Sequence, residues 1–217
     1  MNIEQARFNM IEQQIRPWDV LDPAVLALLG AVRREDFVPA ACKALAFVDT
    51  EVPLAEGQVM LAPRVEARLL QEAKVQRHET VLEIGTGSGF QAALLGHRAL
   101  RVLTLEKRAA LAHSARANLQ RAGLANVEVR EVDGSAGLPE EAPFDVILLS
   151  GSVAEVPQAL LSQLKPGGRL LAIEGNEPVM RAVLITRQGE AAFAKTELFD
   201  TVAPRLDGFA EPSRFRF

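Results

Sequence analysis

The chain has 217 residues, 48% of them hydrophobic and 24% charged, a balance that supports a substantial buried core and excludes large-scale disorder. Its formal net charge is −4 and its sequence pI about 5.5, so no global field draws it to nucleic acid or to anionic lipid. No run approaches the ~18 apolar residues of a membrane span.

Cys42 is the single cysteine, which rules out an internal disulfide and fits a reducing compartment. It is expected to be a small buried apolar residue. The opening MNIEQARFNMIEQQIR lacks the apolar core of a signal peptide, so the cytoplasm is the expected location. His78, His97 and His113 have no partners at ligand spacing, and no metal site is expected.

Residues 1–78 read as an extension of helices and loops. Asn2 with Gln5 resembles a capping pair, and Ile3, Ala6, Met10, Ile11 and Ile15 fall on one helical face until Arg16-Pro17 stops it. Trp18 is expected to anchor this arm by packing. Asp22-Pro23 opens a second helix through about Val32. Pro39, Pro53 and Pro63 punctuate an irregular stretch, and a third helix is expected over Val65–Ala73.

From residue 79 onward strand and helix alternate. Thr80–Ile84 is a short apolar run ending in glycines, followed by a helix to about His97, and Arg101–Glu106 is the second strand. A helix over 108–122 carries Leu111, Ala115 and Leu119 on one face and stops at Gly123. Further strands are expected from Val127, over Phe144–Leu149 and over Arg169–Ile173. A helix near Pro157 should run through Leu164 and end at Lys165-Pro166-Gly167-Gly168. Segments 179–187 and 192–200, joined at Gln188-Gly189, read as a hairpin. The expected architecture is α/β: a doubly wound, seven-stranded, mostly parallel sheet with one antiparallel strand and an N-terminal helical extension, one structural domain overall.

Glu83-Ile84-Gly85-Thr86-Gly87-Ser88-Gly89-Phe90 sits at the carboxyl end of the first strand, where open α/β sheets bind ligands. Phe90 stands where a dinucleotide loop needs its third glycine. No Gly-Lys-Ser/Thr follows, and Thr86 breaks a nucleophile elbow. Acids close three consecutive strands. Glu106, next to Lys107 and about 20 residues beyond the glycines, can accept from two ribose hydroxyls. Asp133, with Gly134, can accept from an adenine amine, and Glu83 can face an ammonium group. A ligand with ribose, adenine and a cationic head but no phosphate fits S-adenosylmethionine, with Gly85, Thr86, Gly87, Ser88 and Gly89 along its methionine portion.

At these residues the chain resembles the protein-L-isoaspartate O-methyltransferase family. The likeness covers about Met10 to Leu206 and includes Met10–Ile15, Arg34–Pro39, Ala46–Asp49, Val81–Ala92, Glu155-Val156-Pro157 and Gln163–Leu170. It implies methyl transfer to the carboxylate of an isoaspartyl residue in a damaged protein or peptide; the alternatives are a paralogous O-methyltransferase of an apolar small-molecule acceptor or a non-catalytic S-adenosylmethionine-binding protein. It also implies that Gln58, Val59, Met60, Leu61 and Pro63 cover the cofactor and shape the acceptor pocket, with Ser150 at its border. Family members carry Thr-x-Ser-Gln before that proline, and here Val59, Leu61 and Ala62 replace the three polar residues. Ser150 or Ser152 is a candidate to restore the lost hydroxyl. Phe47 stands where the family often has tyrosine, a residue this chain lacks entirely. The tail Arg214–Phe217 is expected to lie on the body of the protein or to be disordered, with contact to a partner or a second subunit as the sharper reading.

Overall fold

A computed structural model describes residues 2–211; the tail Arg214–Phe217 lies outside the described residues. Helix α1 (Ile3–Met10) begins where the Asn2 side chain accepts from Gln5 N at 3.2 Å. It continues as a wider turn over Ile11–Ile15 and a tight turn over Arg16–Trp18. Pro17 ends the helical path because it cannot donate to the preceding turn. The Arg64 guanidinium lies 4.2 Å above the Trp18 ring, so this side chain packs as expected. Helix α2 (Pro23–Ala31) has Asp22 as its cap, accepting from Ala24 N at 2.8 Å. A short hairpin pairs β1 (Val52–Pro53) with β2 (Val59–Met60). Helix α3 (Pro63–Ala73) starts two residues before the expected position, with proline supplying the first turn.

The main sheet contains β3 (Thr80–Ile84), β4 (Arg101–Glu106), β5 (Val127–Glu131), β6 (Phe144–Val153), β7 (Leu164–Asn176), β8 (Val179–Arg187) and β9 (Phe193–Thr201), in spatial order β5-β4-β3-β6-β7-β8-β9. Only β8 runs against the others, pairing antiparallel with both β7 and β9. Helices α4 (Phe90–Gly96), α5 (Ala109–Arg121) and α6 (Gln158–Leu161) complete the fold. β3 is the central switch: the chain leaves it toward β4 and later returns on its other side as β6, opening a crevice at the carboxyl ends.

Apolar residues cover both faces of this sheet. Met10, Ile15 and Leu29 from the N-terminal helices join Val81, Val102 and Val146 in one buried cluster; Leu82, Leu103 and Ile147 face a second. Alternate residues of each strand thus serve opposite cores, as the period of two requires.

The region 153–170 departs from expectation. Helix α6 has four residues, not the run to Leu164, and Lys165-Pro166-Gly167-Gly168 lies within β7. Phe144 N donates to Gln163 O at 2.8 Å and Leu164 pairs with Phe144, so sheet pairing claims the segment before another helical turn can form. Gly168 is needed there, since a Cβ would meet Lys165 O at 2.9 Å and Phe144 O at 3.0 Å. Cys42 is half-buried at the edge of the core, short of the full burial expected.

Candidate active site

The glycine loop leaves β3 between its two neighbours. Gly85 N and Thr86 N donate to Leu105 O at 2.9 and 3.2 Å, which fastens the loop to the end of β4. Gly85, Gly87 and Gly89 have φ of +94°, +54° and +85°, a region that side chains with a Cβ rarely adopt. Ser88 accepts from Phe90 N at 3.3 Å and so helps start α4.

Glu106 closes β4 and is buried. Its Oε2 accepts from Gly87 N at 2.9 Å and its Oε1 from Arg108 N at 3.0 Å. Each carboxylate oxygen retains a further lone pair, so the group can still accept from a ligand hydroxyl at each oxygen. Lys107 Nζ donates to Asp133 Oδ2 at 2.7 Å, and Ser135 N donates to Asp133 Oδ1 at 3.0 Å. The Lys107 hydrogen bond holds the Asp133 carboxyl down at about 2. Gly134, not Asp133, lines the cleft itself.

Glu83 is fully buried beneath the loop. Thr104 donates to its Oε2 at 2.6 Å and Ser150 to its Oε1 at 2.7 Å, while Thr86 Oγ1 lies 2.6 Å from Thr104 Oγ1. Burial pushes the Glu83 carboxyl up to about 7 despite these hydrogen bonds. The Ser150 hydroxyl is therefore already engaged. Ser152 is fully buried and donates to Ala203 O at 2.8 Å, so it does not replace a pocket hydroxyl.

Two spaces meet at the loop. The outer cleft is bordered by Gln58, Val59, Gly87, Glu106, Lys107 and Gly134. An inner pocket is bordered by Val59, Met60, Leu61, Thr86, Ser88 and Ser150. Val59, Gly85, Gly87 and Ser150 belong to both. Pro63 lines neither and opens α3, while Phe47 is buried away from both.

Several contributors were not anticipated from the sequence. Leu206, Asp207 and Phe209 close one side of the cleft, because the chain after β9 folds back over the end of β6. Ser152 N donates to Pro204 O at 2.8 Å and Leu206 N to Ser152 O at 2.9 Å. Arg108 pairs with Asp207 at 2.5 Å and Glu56 at 3.5 Å, linking that segment to the loop before β2. Glu66 and Gln91 reach the inner pocket from α3 and α4. Glu66 is buried and pairs with buried Arg34, whose Nη2 also donates to Leu61 O at 2.8 Å. A charge on the apolar face of α3 was the one sequence signal for Glu66; nothing local marked the segment around Leu206.

The site's chemistry fits S-adenosylmethionine. Both cations that line the cleft among the described residues, Lys107 and Arg108, are paired with acids, so these residues leave no uncommitted cation there for a phosphate. Glu106 keeps acceptor capacity for a ribose, and the loop's backbone can approach a ligand closely.

The family model described as Protein-L-isoaspartate(D-aspartate) O-methyltransferase matches residues 5–202. This chain belongs to that family. It is therefore an S-adenosylmethionine-dependent methyltransferase. It is 40% identical over 194 residues to protein-L-isoaspartate O-methyltransferase of Koribacter versatilis, covering 89% of this chain and 87% of the relative. It is 41% identical over 207 residues to that of Rhodopseudomonas palustris, covering 94% and 95%. In structure it resembles a putative protein-L-isoaspartate O-methyltransferase from Plasmodium falciparum, solved with S-adenosyl-L-homocysteine, at TM-score 0.75 and 20% identity over 94% of this chain and 97% of that one. A further protein-L-isoaspartate O-methyltransferase structure matches at TM-score 0.80 and 24% identity over 93% of this chain; the present chain spans 66% of that longer one. At these identities the structural likeness concerns the fold.

Proposed function

We propose that this methyltransferase acts on the free α-carboxylate of isoaspartyl residues in damaged proteins or peptides, the first step of their repair. Family membership supports the reading, and one observation carries it: the cofactor cleft and the inner pocket share Val59, Gly85, Gly87 and Ser150. An acceptor oxygen held in the inner pocket therefore lies beside the end of the cleft that takes the methionine portion.

In this reading Glu106 accepts from the ribose hydroxyls, while Lys107 and Gly134 border the adenine end and Asp133 holds Lys107 from outside the cleft. Gly85, Thr86, Gly87, Ser88 and Gly89 follow the methionine portion, with Glu83 holding Ser150 and Thr104 from beneath. Gln58 covers the cleft, and Met60 and Leu61 shape the acceptor side. Bound S-adenosylmethionine supplies a methyl group already activated on a sulfonium.

A carboxylate has a reference pKa of about 4 and is anionic at pH 7, so no side chain has to remove a proton. What the chain contributes is alignment of oxygen, carbon and sulfur, an effect worth roughly 7–11 kcal/mol where geometry is well held. In the resulting ester, attack by the following peptide nitrogen expels methanol and forms a succinimide, whose hydrolysis returns aspartate in part. The single cysteine fits a reducing, cytoplasmic setting, and among the described residues no helix is long and apolar enough to cross a membrane.

The test is transfer of labelled methyl to an isoaspartyl peptide beside its aspartyl twin. Turnover of the isoaspartyl form alone supports the reading; no turnover, with cofactor binding verified in the same sample, sinks it. The apolar residues Val59, Met60 and Leu61 favour a second reading, an apolar small-molecule acid as acceptor. Lipophilic acids in the same assay separate the two.

A further inference from the structure

The polar groups around the inner pocket are nearly all committed. Ser150 and Thr104 donate to Glu83, with Thr86 hydrogen-bonded behind Thr104, and Glu66 is paired with Arg34. Ser88 Oγ accepts from Phe90 N. Among the described residues lining the pocket, Gln91 alone has no partner at either of its side-chain polar atoms. It stands in the first turn of α4, lines the same pocket and is 4% exposed, yet neither Nε2 nor Oε1 has a hydrogen-bond partner among the described residues. A buried carboxamide left without partners is uncommon and calls for a physical reason.

The pocket's composition supplies one. Where an acceptor carboxylate needs a donor, Val59, Met60 and Leu61 offer no side-chain hydrogen bond. A primary carboxamide presents a donor and an acceptor side by side, which matches a carboxylate oxygen next to a peptide N–H.

We propose that Gln91 binds the methyl acceptor, its Nε2 donating to one oxygen of the acceptor carboxylate while the other oxygen stays free to take the methyl. Oε1 is then placed for an N–H of the same substrate. This assignment rests on the isoaspartyl reading above and adds a specificity-determining residue to it. Val59 and Leu61 carry no hydroxyl, so the Gln91 carboxamide is a donor that remains on the pocket wall.

The experiment measures methyl transfer to an isoaspartyl peptide, with S-adenosylhomocysteine affinity as the check on folding. Gln91→Leu keeps the volume and removes both polar atoms. It should lower kcat/KM for the peptide by roughly tenfold to a hundredfold, mainly through KM, with cofactor-product affinity unchanged. Gln91→Glu puts a second negative charge against the substrate and should lose more. Adding Leu61→Ser to Gln91→Leu should recover much of the loss by supplying a donor from the other wall, a rescue that a purely structural role would not give. Wild-type kcat/KM in either single variant, or loss of peptide and cofactor binding together without rescue, overturns the assignment. If the wild-type enzyme binds cofactor but leaves the peptide untouched, the isoaspartyl reading fails first and the role of Gln91 fails with it.

Discussion

Leu206 lies across Gly85: a Cβ built on this glycine would meet the leucine Cδ2 at 2.8 Å. The segment after β9 is thus seated directly on the cofactor loop. Gly85→Ala must adopt φ near +94° and also displace Leu206. The backbone cost alone is about 1–2 kcal/mol. Calorimetric titration should show at least a tenfold loss of cofactor affinity, with a lower melting temperature. Gly123→Ala is the control, because its φ is also positive but nothing lies within 4 Å of the added carbon. It should destabilise the protein without weakening the cofactor.

Glu106 holds the loop through both oxygens of its carboxylate and, in the proposed reading, also accepts from the ribose. Replacing it by Gln turns an amide N–H toward the N–H of Gly87 or Arg108, a donor facing a donor. Binding of S-adenosylhomocysteine, which separates affinity from chemistry, should weaken roughly tenfold to a hundredfold. An unchanged dissociation constant would remove Glu106 from the ribose site.

Arg34 and Glu66 are both almost wholly buried, with side-chain exposures of 1% and 5%. Glu66→Leu leaves the guanidinium without its partner and should cost about 3–5 kcal/mol in denaturant unfolding. The double variant Arg34→Met/Glu66→Leu removes both charges and should cost clearly less than the sum of the single changes. Simple additivity would show that the two groups do not interact energetically.

The Glu83 carboxyl predicts a pH dependence. Burial raises it from 4.5 to about 7, so in that window the folded protein keeps a proton that the unfolded chain has released. Stability contributed by this group is present at low pH and is lost as pH rises through about 7. Glu66 is raised in the same way and adds to the slope. Glu83→Gln removes one of the two contributions. The stability of the variant relative to wild type should therefore grow as pH increases across the window, measured by urea unfolding at several pH values. A constant difference would mean that Glu83 does not titrate there.

Local physics made much of this molecule legible from its residue order. Asn2, Asp22-Pro23 and Gly123 mark helix boundaries because capping, proline geometry and positive φ act within a few residues. The apolar runs Thr80–Ile84 and Phe144–Leu149 read as strands because both of their faces are buried. The Gly85–Gly89 loop and the strand-end positions of Glu83, Glu106 and Asp133 were legible for a related reason, the regular spacing of the βα units; of the three acids, Glu106 borders the cleft and Glu83 and Asp133 do not.

Other features depended on residues far apart in the chain. Phe144, through its pairing with Leu164, shortened α6 against its helical pattern, since a sheet contact made across the fold outweighed local propensity. Arg34 meets Glu66, and Ser150 meets Glu83, only when separate elements are packed together. Whether an acid is a free ligand group or already held by a neighbour depends on that packing. Residues 203–209 carry no periodic signal, and their place over Gly85 is set by backbone pairing with Ser152. Residue order alone thus determined the central strands, the helix caps and the glycine loop, all set by interactions between near neighbours. Which polar groups remain free at the inner pocket, Gln91 among them, was decided by distant partners that only the folded chain brings together.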